Sequence, residues 1–167
     1  MTMRDCGGCT MCCKVLGIAE LGKPGGKWCP HCEIGRSCRI YEDRPGECRT
    51  FHCLWLLRDS FGPEWRPDRS KFVIYGSPDK AALVVNVDQT VPDAWRRPPY
   101  YENLKRWSAE ANQDRTHLIV MVGDKATVIL PDRDVPLGPV GPGDRIVSRR
   151  VIVEGRERIE PSVVRGG

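Results

Sequence analysis

Cysteine is the residue type in this chain whose number and spacing could do chemistry. All nine cysteines fall between residues 6 and 53 of the 167. Several stand two residues from the next, as in Cys6-x2-Cys9-x2-Cys12, and thiols at that spacing can close on one cation because a tight turn brings both sulfurs to one side. The pattern predicts a metal site whose candidate ligands are Cys6, Cys9, Cys12, Cys13, Cys29, Cys32, Cys38, Cys48, Cys53 and His52.

Disulfide and redox chemistry are the alternatives for these thiols. An odd number of cysteines suits a fully paired disulfide framework poorly, and a reducing cytosol favours ligands over cystines. The segment Cys29-Pro30-His31-Cys32 also occurs in thiol–disulfide oxidoreductases, where it opens a helix after a strand. Gly25-Gly26 precedes it here, so that context is missing and a metal-binding turn is the preferred interpretation. His31 is expected to be a non-ligand.

The number of donors limits the metal content. The nine thiols with His31 and His52 make eleven donors. Since tetrahedral zinc takes four, they suffice for two closed sites, or for three if sulfurs bridge or water fills a place. The adjacent pair Cys12-Cys13 suits two neighbouring ions or a bridge between them. Soft thiolates favour zinc, copper(I) or iron–sulfur over magnesium or calcium, and we expect zinc, with iron or an iron–sulfur cluster as the alternative.

The complete motif resembles a known bacterial family. Cys-x2-Cys-x2-Cys-Cys, followed by Cys-x-Ile-Tyr-x-x-Arg-Pro-x-x-Cys-Arg, is similar to the motif of the YkgJ-type family, also called the zinc- or iron-chelating CxxCxxCC family. The resemblance covers roughly residues 6–55 and implies metal binding by Cys6, Cys9, Cys12, Cys13, Cys38 and Cys48. The pattern is also similar to that of flagellin lysine methylases, which pair a cysteine cluster with methyl transfer. Those enzymes are much longer, and this chain lacks any segment resembling their S-adenosylmethionine-binding domain.

Three classes of function are compatible with the cysteines. The metal could be structural and fold a loop-rich module. The cluster could itself act in metal handling or redox sensing. The protein could be an enzyme, including a methyl-transfer-like one, with an open metal position. We expect the structural role and no enzymatic activity, because thiolate-rich sites are usually closed.

Residues 1–60 predict the cysteine-rich metal-binding module. Gly7 and Gly8 permit the turn between the first two cysteines. Asp43-Arg44-Pro45 is typical of a helix start, and that helix would place Cys48 and His52 four residues apart on one face. Arg44, beside the cysteines, would offset thiolate charge.

Residues 61–167 predict a small α+β portion packed against the module. Alternating apolar segments at 71–90 and 116–130 are typical of two antiparallel hairpins. Apolar residues at helical spacing predict one main helix over 99–112, against which the hairpins pack. The fold class is therefore α+β.

The remaining segments of this portion have weaker signals. Residues 131–144 are rich in proline and glycine and predict a long loop. Strands are expected within 144–153 and 157–164 around Glu154-Gly155.

Charge and hydropathy indicate where the protein acts. The net charge is +4, with nine basic and seven acidic residues in 1–60 and seventeen and fifteen in 61–167. This excess of basic residues is spread along the chain and predicts no nucleic-acid partner.

No apolar stretch precedes Cys6 or is long enough to span a membrane, so we expect a cytoplasmic protein without membrane contact. Its partner is expected to be an unidentified protein or small molecule.

Overall fold

Short elements make up the cysteine-rich part of the chain. The computed structural model describes residues 4–167, so the first three residues of the predicted 1–60 module lie outside the described part. The elements are α1 (Met11–Val15), the paired strands β1 (Cys32–Glu33) and β2 (Ser37–Cys38), α2 (Gly46–Thr50), α3 (Leu54–Leu57) and α4 (Pro67–Ser70). Isolated helices this short are unstable in water, so contacts outside each element must hold them.

A five-stranded mixed sheet follows. Its strands, in spatial order, are β3 (Phe72–Gly76), β4 (Ala82–Val87), β5 (His117–Val122), β6 (Lys125–Ile129) and β7 (Asp134–Pro139). The predicted hairpins β3–β4 and β5–β6 are both confirmed as antiparallel pairs. The two hairpins join through a parallel β4–β5 pairing, because the helix α5 (Tyr100–Gln113) crosses between those strands. Helices and sheets together confirm the predicted α+β class.

Strand β7 corrects the sequence prediction for residues 131–144. These residues were expected to form a loop because of their proline and glycine content, but six of them form β7, which pairs with β6. Proline cannot donate a backbone hydrogen bond, but an edge strand needs only one of its two edges paired, so Pro136 and Pro139 are tolerated there. The register shifts between Ala126 and Thr127 of β6, and this irregularity accommodates the altered pairing.

Helix α5 packs on one face of the sheet, as its spacing predicts. Leu104 is fully buried, and Tyr100 is 8% exposed. They join Leu118, Val120 and other buried residues in the main core. At 14 residues α5 is the longest helix between Arg4 and Gly167, and none in that range has the length and apolar character that crossing a membrane requires.

A two-stranded ribbon covers the opposite face of the sheet. Its strands are β8 (Arg145–Val153) and β9 (Arg156–Val164), which confirms both predicted strands. Ile146 and Ile159 pack against Ile119 and Val128 of the sheet. Since successive strand residues point to opposite faces, Ile119 lies on the face away from its neighbours Leu118 and Val120, which pack toward α5.

The cysteine-rich part packs against the first strand of the sheet. Met11 and Val15 of α1 bury their side chains with Val73 of β3. Lys14 donates a 2.7 Å hydrogen bond to Asp88, just after β4, and both side chains are largely buried. An ion pair and an apolar contact therefore fix α1, which carries two cysteines, to the sheet.

Candidate metal centre

Eight of the nine cysteines line one cavity of about 490 Å³. They are Cys6, Cys9, Cys12, Cys13, Cys29, Cys38, Cys48 and Cys53. All nine cysteines are free thiols, with no disulfide between them. Apolar side chains such as Leu16, Ile18 and Val73 line the rest of the wall. The fold thus brings together cysteines that are up to 47 residues apart in sequence.

A tight turn positions the first cysteines. The Cys9 amide donates a 2.8 Å hydrogen bond to the Cys6 carbonyl, and Gly7 in that turn has φ +49°. A Cβ at Gly8 would lie 2.7 Å from the Gly35 carbonyl oxygen, so only glycine allows this approach to the β1–β2 turn. The Gly35 amide in turn donates to Thr10 Oγ1 at 3.0 Å.

The pair β1–β2 positions the middle cysteines. Cys32 and Cys38 stand opposite each other across the two strands, so both side chains point to the same face. The Cys29 amide donates a 3.0 Å hydrogen bond to the Cys13 carbonyl and so ties this hairpin to α1. Cys32 is absent from the cavity wall, but its thiol hydrogen-bonds with that of Cys13.

Helices α2 and α3 position the last two cysteines and correct one sequence prediction. Helix α2 ends at Thr50, so Cys48 and His52 do not share a helix face as predicted. Phe51 instead adopts an extended backbone and packs edge-on against Tyr75 of the sheet at 5.3 Å between ring centroids. This tertiary contact ends the helix and delivers Cys53 into the cavity wall.

The two histidines near the cysteines, His31 and His52, are not part of the cavity wall. His52 is exposed, and its Nδ1 lies 3.1 Å from the Thr50 carbonyl oxygen. His31 is half-buried beside Cys32. Whether His52 binds metal stays a prediction, and its ring would have to turn toward the thiols to do so.

The thiols form two groups according to which sulfurs influence one another. Cys6, Cys9 and Cys53 form the three-sulfur group. Burial raises the pKa of each of these thiols, and the neighbouring thiols Cys53, Cys9 and Cys13 raise that of Cys6 further, so the two groups adjoin at Cys13. The other six cysteines, Cys12, Cys13, Cys29, Cys32, Cys38 and Cys48, form the six-sulfur group.

Cys13 stands at the centre of the six-sulfur group. Its thiol hydrogen-bonds with that of Cys12, and this contact together with burial raises its pKa. Burial raises the pKa of Cys32 to about 11, with the Cys13 thiol as the next cause. Burial and the thiols of Cys13, Cys29 and Cys38 also raise the pKa of Cys48. Without a cation the thiols of Cys13, Cys32 and Cys48 are therefore held in their neutral form, and a bound cation would favour the thiolate instead.

Backbone amides oppose the effect of burial on two thiols of the three-sulfur group. The amides of Met11 and Asp68 lower the pKa of Cys9. The amides of Leu56 and Trp55 lower the pKa of Cys53. In each case the N–H group favours the thiolate.

Lys23 is the buried cation next to the six-sulfur group. Its side chain is 7% exposed, and Nζ donates to the carbonyls of Lys14, at 3.1 Å, and Leu16. Burial lowers the Lys23 pKa, while the thiols of Cys29 and Cys13 act in the opposite direction. A fixed positive charge here would offset part of the negative charge of bound thiolates.

Four buried polar side-chain atoms within residues 4–167 have no hydrogen-bond partner. They are Arg44 Nε, Trp55 Nε1, Arg66 Nε and Asp68 Oδ1. Arg44 and Trp55 line the cavity, and Arg66 Nη2 donates a 3.2 Å hydrogen bond to the Cys6 carbonyl. Arg66 Nε and Asp68 Oδ1 lie 3.4 Å apart, so these two atoms form an ion pair without hydrogen-bond geometry. Because native proteins leave few such atoms, Arg44 Nε and Trp55 Nε1 mark a part of the cavity wall whose polar groups lack partners.

The donors fit a soft metal ion in type. Cysteine sulfur is the donor that zinc and other soft ions prefer, and the buried Lys23 supplies a nearby positive charge. In the described part of the chain, however, no three Cys, His, Asp or Glu side chains already converge as a coordination shell does. The sulfurs stand around a cavity wider than one ion, so binding would require side-chain rotation toward the ion.

The sequence did not predict that Lys23 lies at this site. Charged residues are common in this chain, and Lys23 has no distinctive spacing to a cysteine. No protein-family model, curated protein or solved structure matches the chain. The site must therefore be interpreted from its own residues.

Proposed function

We propose that the cysteine cluster binds two or more zinc ions, mainly to fold the N-terminal module of residues 1–60. The observation that carries this proposal is the convergence of eight free thiols on one cavity. Two groups of sulfurs suit two zinc positions. The resemblance to the CxxCxxCC family also implies metal binding, so it agrees with this proposal.

The structural role is favoured by the way the module is built. Its helices and strands are five residues or shorter, and the side chains that it buries against Val73 of the sheet are those of Met11, Val15 and Cys53. A bound cation would cross-link α1, β1–β2, α2 and α3 through their cysteines. In metalloproteins of this kind the free energy of metal binding is the free energy of folding.

Metal content is the direct test. Protein purified anaerobically and analysed for elements should contain two or more zinc ions per chain. Chelation should raise hydrogen exchange in residues 4–60 while the sheet and α5 remain protected. The Cys13→Ser variant should lose zinc, and Ser37→Ala, which alters the cavity wall without removing a thiol, should retain it. The proposal is contradicted if protein purified anaerobically contains no metal and if added zinc leaves its hydrogen exchange unchanged.

An iron or iron–sulfur protein acting in metal handling or redox sensing is the second candidate. The observation in its favour is the six-sulfur group, since six thiols around a wide cavity exceed the four that one zinc takes. Bound iron with visible sulfur-to-iron absorption would favour this candidate over zinc. A colourless protein containing zinc alone would exclude it.

A further inference from the structure

The cavity that the cysteines line has an extensive apolar wall as well. Leu21, Ile40, Phe51 and Leu56 line it together with the apolar side chains named above. Its volume of about 490 Å³ lies within the range of sites that hold small organic molecules. A soft metal ion interacts with sulfur and gains nothing from contact with these carbons. The cavity therefore has a part that the proposed metal binding does not use.

Arg44 is the one lysine or arginine of residues 4–167 that lines this cavity. Its Nε is buried without a hydrogen-bond partner, and its guanidinium forms no ion pair with any residue in that range. Buried charges are normally paired. The wall thus presents a positive charge for which the described part of the chain supplies no negative partner.

The guanidinium of Arg44 is held in place before any ligand binds. Its Cζ lies over the Tyr41 ring, 3.8 Å from the centroid, which is a cation–π contact. Arg49 donates 2.8 Å hydrogen bonds to the carbonyls of Arg44 and Glu42 and so fixes the backbone of this segment. Tyr41 lines the cavity and is 56% exposed, so the pair of Tyr41 and Arg44 stands at the mouth of the cavity.

A second donor in the wall also lacks a partner. Trp55 lines the same cavity, and its Nε1 is buried without a hydrogen bond. Arginine and tryptophan side chains can only donate, so a molecule that pairs with both must bring acceptor atoms. Because a buried donor without a partner is costly, such a molecule would gain affinity from each of them.

We propose that this cavity binds a small apolar molecule with a single carboxylate, which pairs with Arg44 at the mouth. The planar fork of arginine matches a carboxylate, and one positive charge balances one negative charge. A phosphate carries nearly two negative charges, for which this wall has too few cations. The apolar wall buries the hydrocarbon part of the ligand. This inference goes beyond the proposed metal binding and does not depend on it.

Octanoate tests the assignment because it joins one carboxylate to a hydrocarbon chain, and octanol is the matched neutral probe. Both are titrated calorimetrically into the full chain, purified anaerobically and with its metal content measured. Octanoate should bind at least about tenfold more tightly than octanol, because a hydrogen bond to a charged group exceeds a neutral one by about that factor. The side-chain N–H resonance of Trp55 should shift on binding, since this group lies in the wall.

Replacing Arg44 should separate the carboxylate from the hydrocarbon chain. Arg44→Gln should weaken octanoate about tenfold or more and leave octanol unchanged, which also shows that the cavity remains folded. Arg36→Gln is the matched control, because Arg36 is exposed, lies between β1 and β2 and does not line the cavity. It should bind octanoate like the wild type. Arg44→Lys keeps the test decisive if the glutamine variant folds poorly, because it retains the charge and should retain part of the preference for octanoate.

Three results would overturn the assignment. They are wild type that does not bind octanoate, equal affinity of wild type and Arg44→Gln for octanoate, and a loss in Arg36→Gln as large as that in Arg44→Gln. Protein that contains no metal and still binds octanoate through Arg44 would support this assignment and contradict only the proposed function.

Discussion

Zinc binding to the metal-free, reduced protein should release protons and tighten steeply with pH. Burial raises the pKa of the Cys6, Cys9 and Cys53 thiols, so all three are protonated at neutral pH. Each must lose its proton to bind a cation as thiolate. With one proton per sulfur, the affinity of the three-sulfur group should rise about a thousandfold per pH unit, or about 4 kcal/mol.

Calorimetry can count these protons. Zinc titrations at about pH 6 and about pH 7, in buffers of different ionisation enthalpy, should give about three to four protons per zinc ion. Cys53→Ser should lower the number released per chain, and Ser37→Ala should not. Release of fewer than about two protons per zinc, or an affinity that is unchanged over this pH unit, would refute thiolate coordination.

Three further predictions concern stability. Asp88→Ala should lower the free energy of unfolding in urea by about 3–5 kcal/mol, because it leaves the charge of Lys14 buried without its partner. Adding Lys14→Met to this variant should recover part of the loss. Leu104→Ala should cost about 2–5 kcal/mol because Leu104 is fully buried, whereas Leu57→Ala, at a side chain 58% exposed, should cost under about 0.5 kcal/mol. The metal-free protein should lose stability above about pH 9. The pKa of the Cys32 thiol is raised to about 11 in the folded protein, so this thiol contributes stability at any pH below its pKa in the unfolded chain. That contribution is lost as the pH rises through the pKa of the folded state. Equal stability at pH 9 and pH 11 would contradict it.

Local pattern was enough to predict most elements of the α+β portion. The apolar stripe of α5 and the alternation in β3–β4 and β5–β6 are signals carried within each segment. Strand β7 was missed because proline and glycine hide an edge strand. The parallel joining of β4 to β5 depends on how two distant segments pair, and local periodicity contains no signal for that.

Residue type predicted the cysteines of the site but not their grouping. Nothing in the spacing separates Cys6, Cys9 and Cys53 from the other six, since Cys53 reaches the first two only after the extended backbone at Phe51 has ended α2. The same early end of α2 removes His52 from the helix face on which the sequence placed it.

The distribution of the core explains why the cysteines stand where they do. Of the 22 apolar residues that are buried within residues 4–167, five precede residue 61 and two of these are cysteines; the five are Met11, Val15, Ile18, Cys29 and Cys53. A segment of this size with so few buried side chains gains too little from apolar burial to offset the entropy of ordering it. Contact with the sheet holds α1, through Val73 and Asp88, and α3, which also packs against β3. The β1–β2 hairpin and α2 depend on the cavity that they surround, so a cation there would supply the cohesion that a larger core supplies elsewhere.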